Sequence, residues 1–191
     1  MFREIVFPDG NEREFIDMGV KLGIKNMLFL YDIEKYNKIR QDFPKINMQT
    51  GIIASSKNFD KIPKSIFSAA KSSEKDRFLV ESKKIRMIYG FEDIPRKDYM
   101  HQRASGMNHI LCEIASRNNV IFAFPYSSLF EKNNQEKAII IGRMMQNIQL
   151  CRKYKVRTAI GSFSSSPYRM RAPHDIASLF TILGMDQKNV K

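Results

Sequence analysis

The residues best suited to chemistry in this sequence lie in two loops. Residues 90–106 (GFEDIPRKDYMHQRASG) carry Arg96, Lys97, His101 and Arg103, and residues 161–173 (GSFSSSPYRMRAP) carry Arg169 and Arg171 beside Tyr168. An arginine fork matches two phosphate oxygens at once, and a tyrosine ring can stack on an unpaired base. Glycine and serine let a backbone approach closely and offer N–H donors. One such loop would read as ordinary solvated surface. Two on the same face of a fold predict RNA contact.

Catalytic and metal chemistry find less to work with. The histidines are His101, His109 and His174, with no H-x-H pair, and the first predicted strand ends in Phe7-Pro8-Asp9. A metal phosphoesterase on a barrel needs several His and carboxylate ligands at strand ends. His109 falls off the apolar stripe of its predicted helix, which suits a surface residue or an RNA contact. His174, in a first helical turn, reads as structural. No G-x-S-x-G elbow, Walker A or G-x-G-x-x-G motif occurs. Residues 161–166 could form a phosphate-binding loop of the sugar-phosphate barrel type, although serine-rich turns are usually only flexible. Cys112 and Cys151, the only two cysteines, form no C-x-x-C pair and read as reduced core thiols. The expectation is a chain with no catalytic residue, metal site or cofactor of its own. The alternative is a stand-alone barrel enzyme, phosphoesterase-like, acting on a small phosphorylated substrate.

The 191 residues, 43% hydrophobic and 27% charged, have ordinary globular composition. No linker or compositional break divides them, so 1–191 reads as a single domain. The net charge is +12 and the sequence pI about 9.7, the electrostatic footprint of a nucleic-acid binder. A Lys-rich but idle surface would carry the same charge, so the loops decide more than the total. No apolar run approaches the roughly 18 residues of a membrane helix. Acidic residues close to the N-terminus leave no apolar signal stretch. A cytoplasmic protein without membrane contact is expected.

The elements that must position the loops alternate in type. Strands are predicted at 5–7, 26–31, 46–54, 65–70, 85–89, 120–124 and 156–160. Helices are predicted at 12–22, 34–42, 75–81, 105–117 and 136–154, and a last one opens at Pro173 and closes at Gly184. The helix at 105–117 places Met107, Ile110, Leu111, Ile114 and Ala115 on one face. The helix at 136–154 turns Ile141, Met144, Met145, Ile148 and Cys151 inward. Three strands begin near 85, 120 and 156 with a helix between each pair, which implies parallel strands. Continuous apolar strands imply that both sheet faces are covered. About seven βα units favour a compact, irregular TIM-like (β/α) barrel, short of the roughly 250 residues of a complete one. The loops after the strands then share one face.

Certain residues resemble a known family. Arg103-Ala-Ser-Gly-Met-Asn108-His-Ile-Leu, running into Glu113 and the apolar strand ending at Phe124, resembles a motif of the ribonuclease P protein component 3 family, the archaeal and eukaryotic 30-kDa subunit. Cys151-Arg-Lys-Tyr-Lys-Val156, Met170-Arg-Ala-Pro-His-Asp175 and Leu183-Gly-Met185 are similar too. Asp76-Arg77-Phe-Leu-Val-Glu81 is close to the family's Asn-Arg-x-x-x-Glu element, with Asp76 standing where the family has Asn. The resemblance covers 76–185, and the first 70 residues fit in element order. It implies a barrel shape-related to metal-dependent PHP phosphoesterases but lacking their metal site. It also implies a ribonucleoprotein subunit supporting the catalytic RNA that removes the 5′ leader from precursor tRNA. The implied partners are the ribonuclease P RNA, precursor tRNA indirectly, and a small subunit of RNA-recognition-motif-like fold. Mg2+ would sit on the RNA and not on this chain. The resemblance points to Arg77, Arg103, Asn108, Lys155, Arg169 and Arg171 as RNA-binding positions, which Arg96, Lys97 and His109 join from the loop reading.

Overall fold

In a computed structural model, which describes residues 4–37, 46–55, 58–100, 103–130 and 132–186, seven parallel strands follow one another around a single sheet in chain order. They are β1 (Glu4–Val6), β2 (Asn26–Tyr31), β3 (Asn47–Ala54), β4 (Phe67–Lys71), β5 (Met87–Tyr89), β6 (Ile121–Pro125) and β7 (Thr158–Gly161). Helices α1 (Glu12–Lys21), α2 (Ile33–Tyr36), α3 (Asp76–Glu81), α4 (His109–Asn118), α5 (Asn134–Lys153) and α6 (Pro173–Ile182) connect or follow them. Between β3 and β4 the described segment holds only a single 3-10 turn, Phe59–Lys61.

The continuous apolar strands have the expected cause. Leu28 and Leu30 point into the barrel with Ile5, Ala69, Met87, Ala123 and Ala159. Met27, Phe29 and Tyr31, one residue out of phase, pack outward against α1. Successive side chains of a strand face opposite ways, so a strand buried on both faces is apolar at every position.

The sheet closes on itself at the β7–β1 seam. Phe163 N donates to Ile5 O at 2.7 Å and Phe7 N donates to Ser164 O at 2.9 Å. Beside these bonds the buried Glu4 carboxylate accepts from Ser162 N at 2.6 Å and from Ile5 N at 2.8 Å. A side chain thus completes pairing that the short β1 leaves unmade. Burial pushes the Glu4 carboxyl up to about 7, and the Ser162 and Ile5 amide bonds only partly offset it. The same bonds speak against a phosphate-binding loop at 161–166. The amides of Ser162 and Phe163 are spent on closing the barrel, and Ser166 N donates to Ser164 Oγ at 3.0 Å.

The barrel's C-terminal mouth is plugged. Tyr89 and Phe163 have ring centroids 5.1 Å apart, and Phe7 lies 5.7 Å from Tyr89 and 5.9 Å from Phe163. Phe163 reaches this position with a left-handed backbone, φ 49°.

Three helix expectations need correction. Residues 105–107 are not helical: α4 starts at His109, because Gly106 (φ +81°) turns the chain and Asn108 caps the helix. Met107 is buried as a loop residue and Ile110 is exposed. On α5 the inward residues include Ile140, Arg143, Met144, Asn147, Ile148 and Cys151, while Met145 is exposed and Ile141 half-buried. The 34–42 helix is the short α2, and 38–42 lies outside the described residues. Cys112 and Cys151 are both free and buried.

Candidate nucleic-acid interface

The two loops do leave the same end of the barrel, one after β5 and the other after β7. The β6–α5 connection links them. Ser128 Oγ donates to Glu92 Oε1 at 3.0 Å, and Ser127 N donates to Ser162 O at 3.0 Å. The Arg169 guanidinium lies 5.5 Å over the Phe130 ring. Glu92 is fully buried, and burial pushes its carboxyl up to about 7.

Long loops of polar composition need an anchor, because ordering each residue costs roughly 1–2 kcal/mol of backbone entropy. For the β5–α4 loop that anchor is Arg143 on α5, whose side chain is 6% exposed. Its Nη1 donates to Glu92 O at 3.1 Å and to Ile94 O at 2.9 Å. Its Nη2 donates to Arg96 O, and Nε to Asp98 Oδ1 at 2.9 Å. The planar fork suits this work, since one guanidinium offers five donors in fixed directions. Asp98 Oδ1 also accepts from Ala104 N at 2.8 Å, which folds the far limb of the loop back onto the near one. Although burial opposes it, the hydrogen bonds from Arg143 and Ala104 and the Arg143 and Arg103 charges hold the Asp98 carboxyl below its ordinary range.

Further along α5, Asn147 Nδ2 donates to Ser105 O at 2.8 Å and Gln146 Nε2 to Ser105 Oγ at 3.1 Å. Arg103 lies against Gly142, donating from Nη1 to its carbonyl at 3.0 Å. A Cβ at position 142 would come within 2.7 Å of the Arg103 guanidinium carbon. The glycine in the middle of α5 is therefore a seat for that arginine. Gly106 is as constrained: besides its positive φ, a Cβ there would sit 2.6 Å from Phe91 O.

The predicted site residues are distributed as follows. Arg77, Arg96 and Asn108 share one cleft of about 200 Å³ between α3 and α4. Arg77 Nε also pairs with Glu81 at 2.9 Å along α3, and Arg96 with Glu74 at 3.7 Å. The Asn108 side chain accepts from Leu111 N at 2.8 Å, a helix cap. Lys97, Arg103 and His109 are exposed on this end, Tyr99 and Met100 strongly so. Arg171 Nη1 donates to Met170 O at 2.8 Å, and Tyr168 beside it is 79% exposed. Lys155 is not part of this group. It sits in the α5–β7 turn at the opposite end of the barrel. His101 lies outside the described residues. Sequence reasoning missed Arg143 and Asn147, although Ile140, Arg143, Met144, Asn147, Ile148 and Cys151 keep one helical phase. A polar residue on an apolar stripe was the available signal. Among the described residues no group of three or more His, Cys, Asp or Glu could hold a metal ion, and no helix is long and apolar enough to cross a membrane.

Comparison with known proteins agrees with this geometry. The family model for RNase P subunit p30 matches residues 93–191, just over half of the chain. Ribonuclease P protein component 3 of Methanococcoides burtonii is 33% identical over 85 residues, 44% of this chain and 35% of that protein. The same component of Thermococcus gammatolerans is 32% identical over 111 residues, 58% of this chain and 48% of that protein. The matched stretch thus spans a third to a half of these curated relatives. A chain in the cryo-EM structure of archaeal ribonuclease P with mature tRNA superposes with TM-score 0.75 over 98% of this chain and 85% of that one, at 18% identity. That likeness establishes the barrel as a shared fold. The family match falls on the arginine loops and on the helix that anchors them: the chain belongs to the RNase P subunit p30 family.

Proposed function

We propose that this chain is a protein subunit of ribonuclease P and supports the catalytic RNA that removes the 5′ leader from precursor tRNA. The observation that carries this reading is the Arg143 clamp. It holds a loop bearing Arg96, Lys97 and Arg103 rigidly on the same barrel end as Arg169 and Arg171. Fixed cations beside exposed aromatic rings suit folded RNA, whose close-packed phosphates need neutralising at defined positions. The chemistry then belongs to metal ions, Mg2+ among them, held by the RNA, with precursor tRNA reached indirectly. A small RNA-recognition-motif-like subunit is the expected protein partner.

The alternative, a stand-alone enzyme on a small phosphorylated substrate, has less support. The plugged mouth of Phe7, Tyr89 and Phe163 occupies the place where a barrel enzyme would seat such a substrate. Isolating the protein gently from its cell and sequencing the RNA that accompanies it tests the reading. Recovery of the ribonuclease P RNA is expected. Absence of any enriched RNA, or robust phosphoesterase turnover by the purified chain with divalent metal alone, would contradict it.

A further inference from the structure

The barrel end away from these loops has a cationic opening of its own. A cavity of about 480 Å³ is lined there by Lys64 ahead of β4, Arg86 ahead of β5 and Arg157 ahead of β7. Between them stand the amides Asn26, Asn47 and Asn119, and no carboxylate lines the opening. All three cations are exposed, and none has an ion-pair partner among the described residues. Conserving stability would not require this arrangement, since like charges gathered around a concavity repel and focus positive potential.

The arrangement is also pre-set. Ile121 N donates to Arg86 O and Phe122 N to Arg157 O, both at 2.9 Å, so the two arginines leave fixed backbone positions on either side of β6. The turns entering β5, β6 and β7 each place one residue in the left-handed region: Lys83 (φ 56°), Asn119 (φ 55°) and Lys155 (φ 55°). That conformation is cheapest for glycine and tolerable for asparagine, and it costs a lysine on the order of 1 kcal/mol. Two of the three turns nevertheless carry lysine, which adds two cations to this rim.

We propose that this N-terminal rim is a second phosphate-binding site, which takes the sugar–phosphate backbone of an RNA strand. The arginines and lysines meet phosphate oxygens, and the neutral amides offer donors and acceptors to ribose hydroxyls. The barrel then touches RNA at both ends and braces two segments of one folded molecule. This rests on the RNA-subunit reading.

Photo-crosslinking the full chain to ribonuclease P RNA transcribed with 4-thiouridine, followed by peptide mass spectrometry, tests it. Crosslinks are expected in 83–87 and 155–158 as well as in 90–106 and 161–173. The double variant Arg86→Ala, Arg157→Ala should lower the rim crosslinks roughly tenfold and leave the loop crosslinks intact, while Arg86→Lys, Arg157→Lys retains both. Loop crosslinks without rim crosslinks would overturn the rim site and leave the RNA reading standing. Absence of both would overturn both. Rim crosslinks that persist undiminished in the Arg86→Ala, Arg157→Ala variant would also refute the proposal.

Discussion

Replacing Arg143 by alanine should do more damage than any substitution among the exposed arginines. The guanidinium is nearly sealed from water and serves the carbonyls of Glu92, Ile94 and Arg96 together with the Asp98 carboxylate. Each buried acceptor left without a partner costs about 1–3 kcal/mol. Those costs do not simply add, because Asp98 is 23% exposed and regains water. Removing one member of a buried pair typically costs about 3–5 kcal/mol, and that is the expected loss. It would be a large fraction of the roughly 5–15 kcal/mol that hold a domain together. Urea unfolding should show a lower midpoint at unchanged slope. Hydrogen exchange should accelerate across 90–108, with the Ala104 amide among the first to lose protection. Arg143→Lys should recover only part of the loss, since one ammonium cannot reach carbonyls spread around a planar fork. A loss below about 1 kcal/mol with loop exchange unchanged would refute the claim that this arginine orders the loop.

Burial raises both Glu4 and Glu92 to about 7 from an ordinary 4.5. The folded chain therefore binds more protons than the unfolded one between those values, and stability should fall as pH rises through that window. Glu92→Gln should flatten the fall measured by urea midpoints at pH 5 and pH 8; parallel curves would contradict the assignment. Asn108→Ala should cost about 1 kcal/mol by removing the α4 cap, and Asn108→Ser should not, as thermal unfolding would report. Gly142→Ala should change global stability by less than about 1 kcal/mol, because a better helix former offsets the displaced guanidinium. It should still reproduce the RNA-binding defect of Arg103→Ala, read by a mobility shift across a salt series.

Strands β2, β5 and β6 were legible in the sequence because, apart from Asn26, each is an apolar run, and both of their faces are covered; β3, with Asn47, Gln49 and Thr50 in its partly exposed first half, carries a weaker signal. For β5, β6 and β7 the parallel order followed from the helices between them. The extent of α4 was not legible: Met107 is buried at helical spacing from Leu111, so periodicity could not distinguish it from a first turn. Only the positive φ of Gly106 and the cap at Asn108 separate the two. The loops that carry the candidate site were visible as residue types. What holds them was hidden in α5, where Arg143 and Asn147 share the buried stripe and would ordinarily be assigned outward. Closure of the barrel by the Glu4 side chain was equally hidden, since that contact joins residues 158 positions apart.

Reconstitution tests the central claim most directly. Ribonuclease P RNA should be assayed for removal of the 5′ leader from precursor tRNA at moderate Mg2+ and salt, with its other protein subunits present and with or without this chain. Adding the chain should raise the cleavage rate, and the variant Arg96→Ala, Arg103→Ala, Arg171→Ala should lose most of that gain and show a shallower salt dependence. Cleavage indifferent to the chain, or unaffected by the triple variant, would contradict the account.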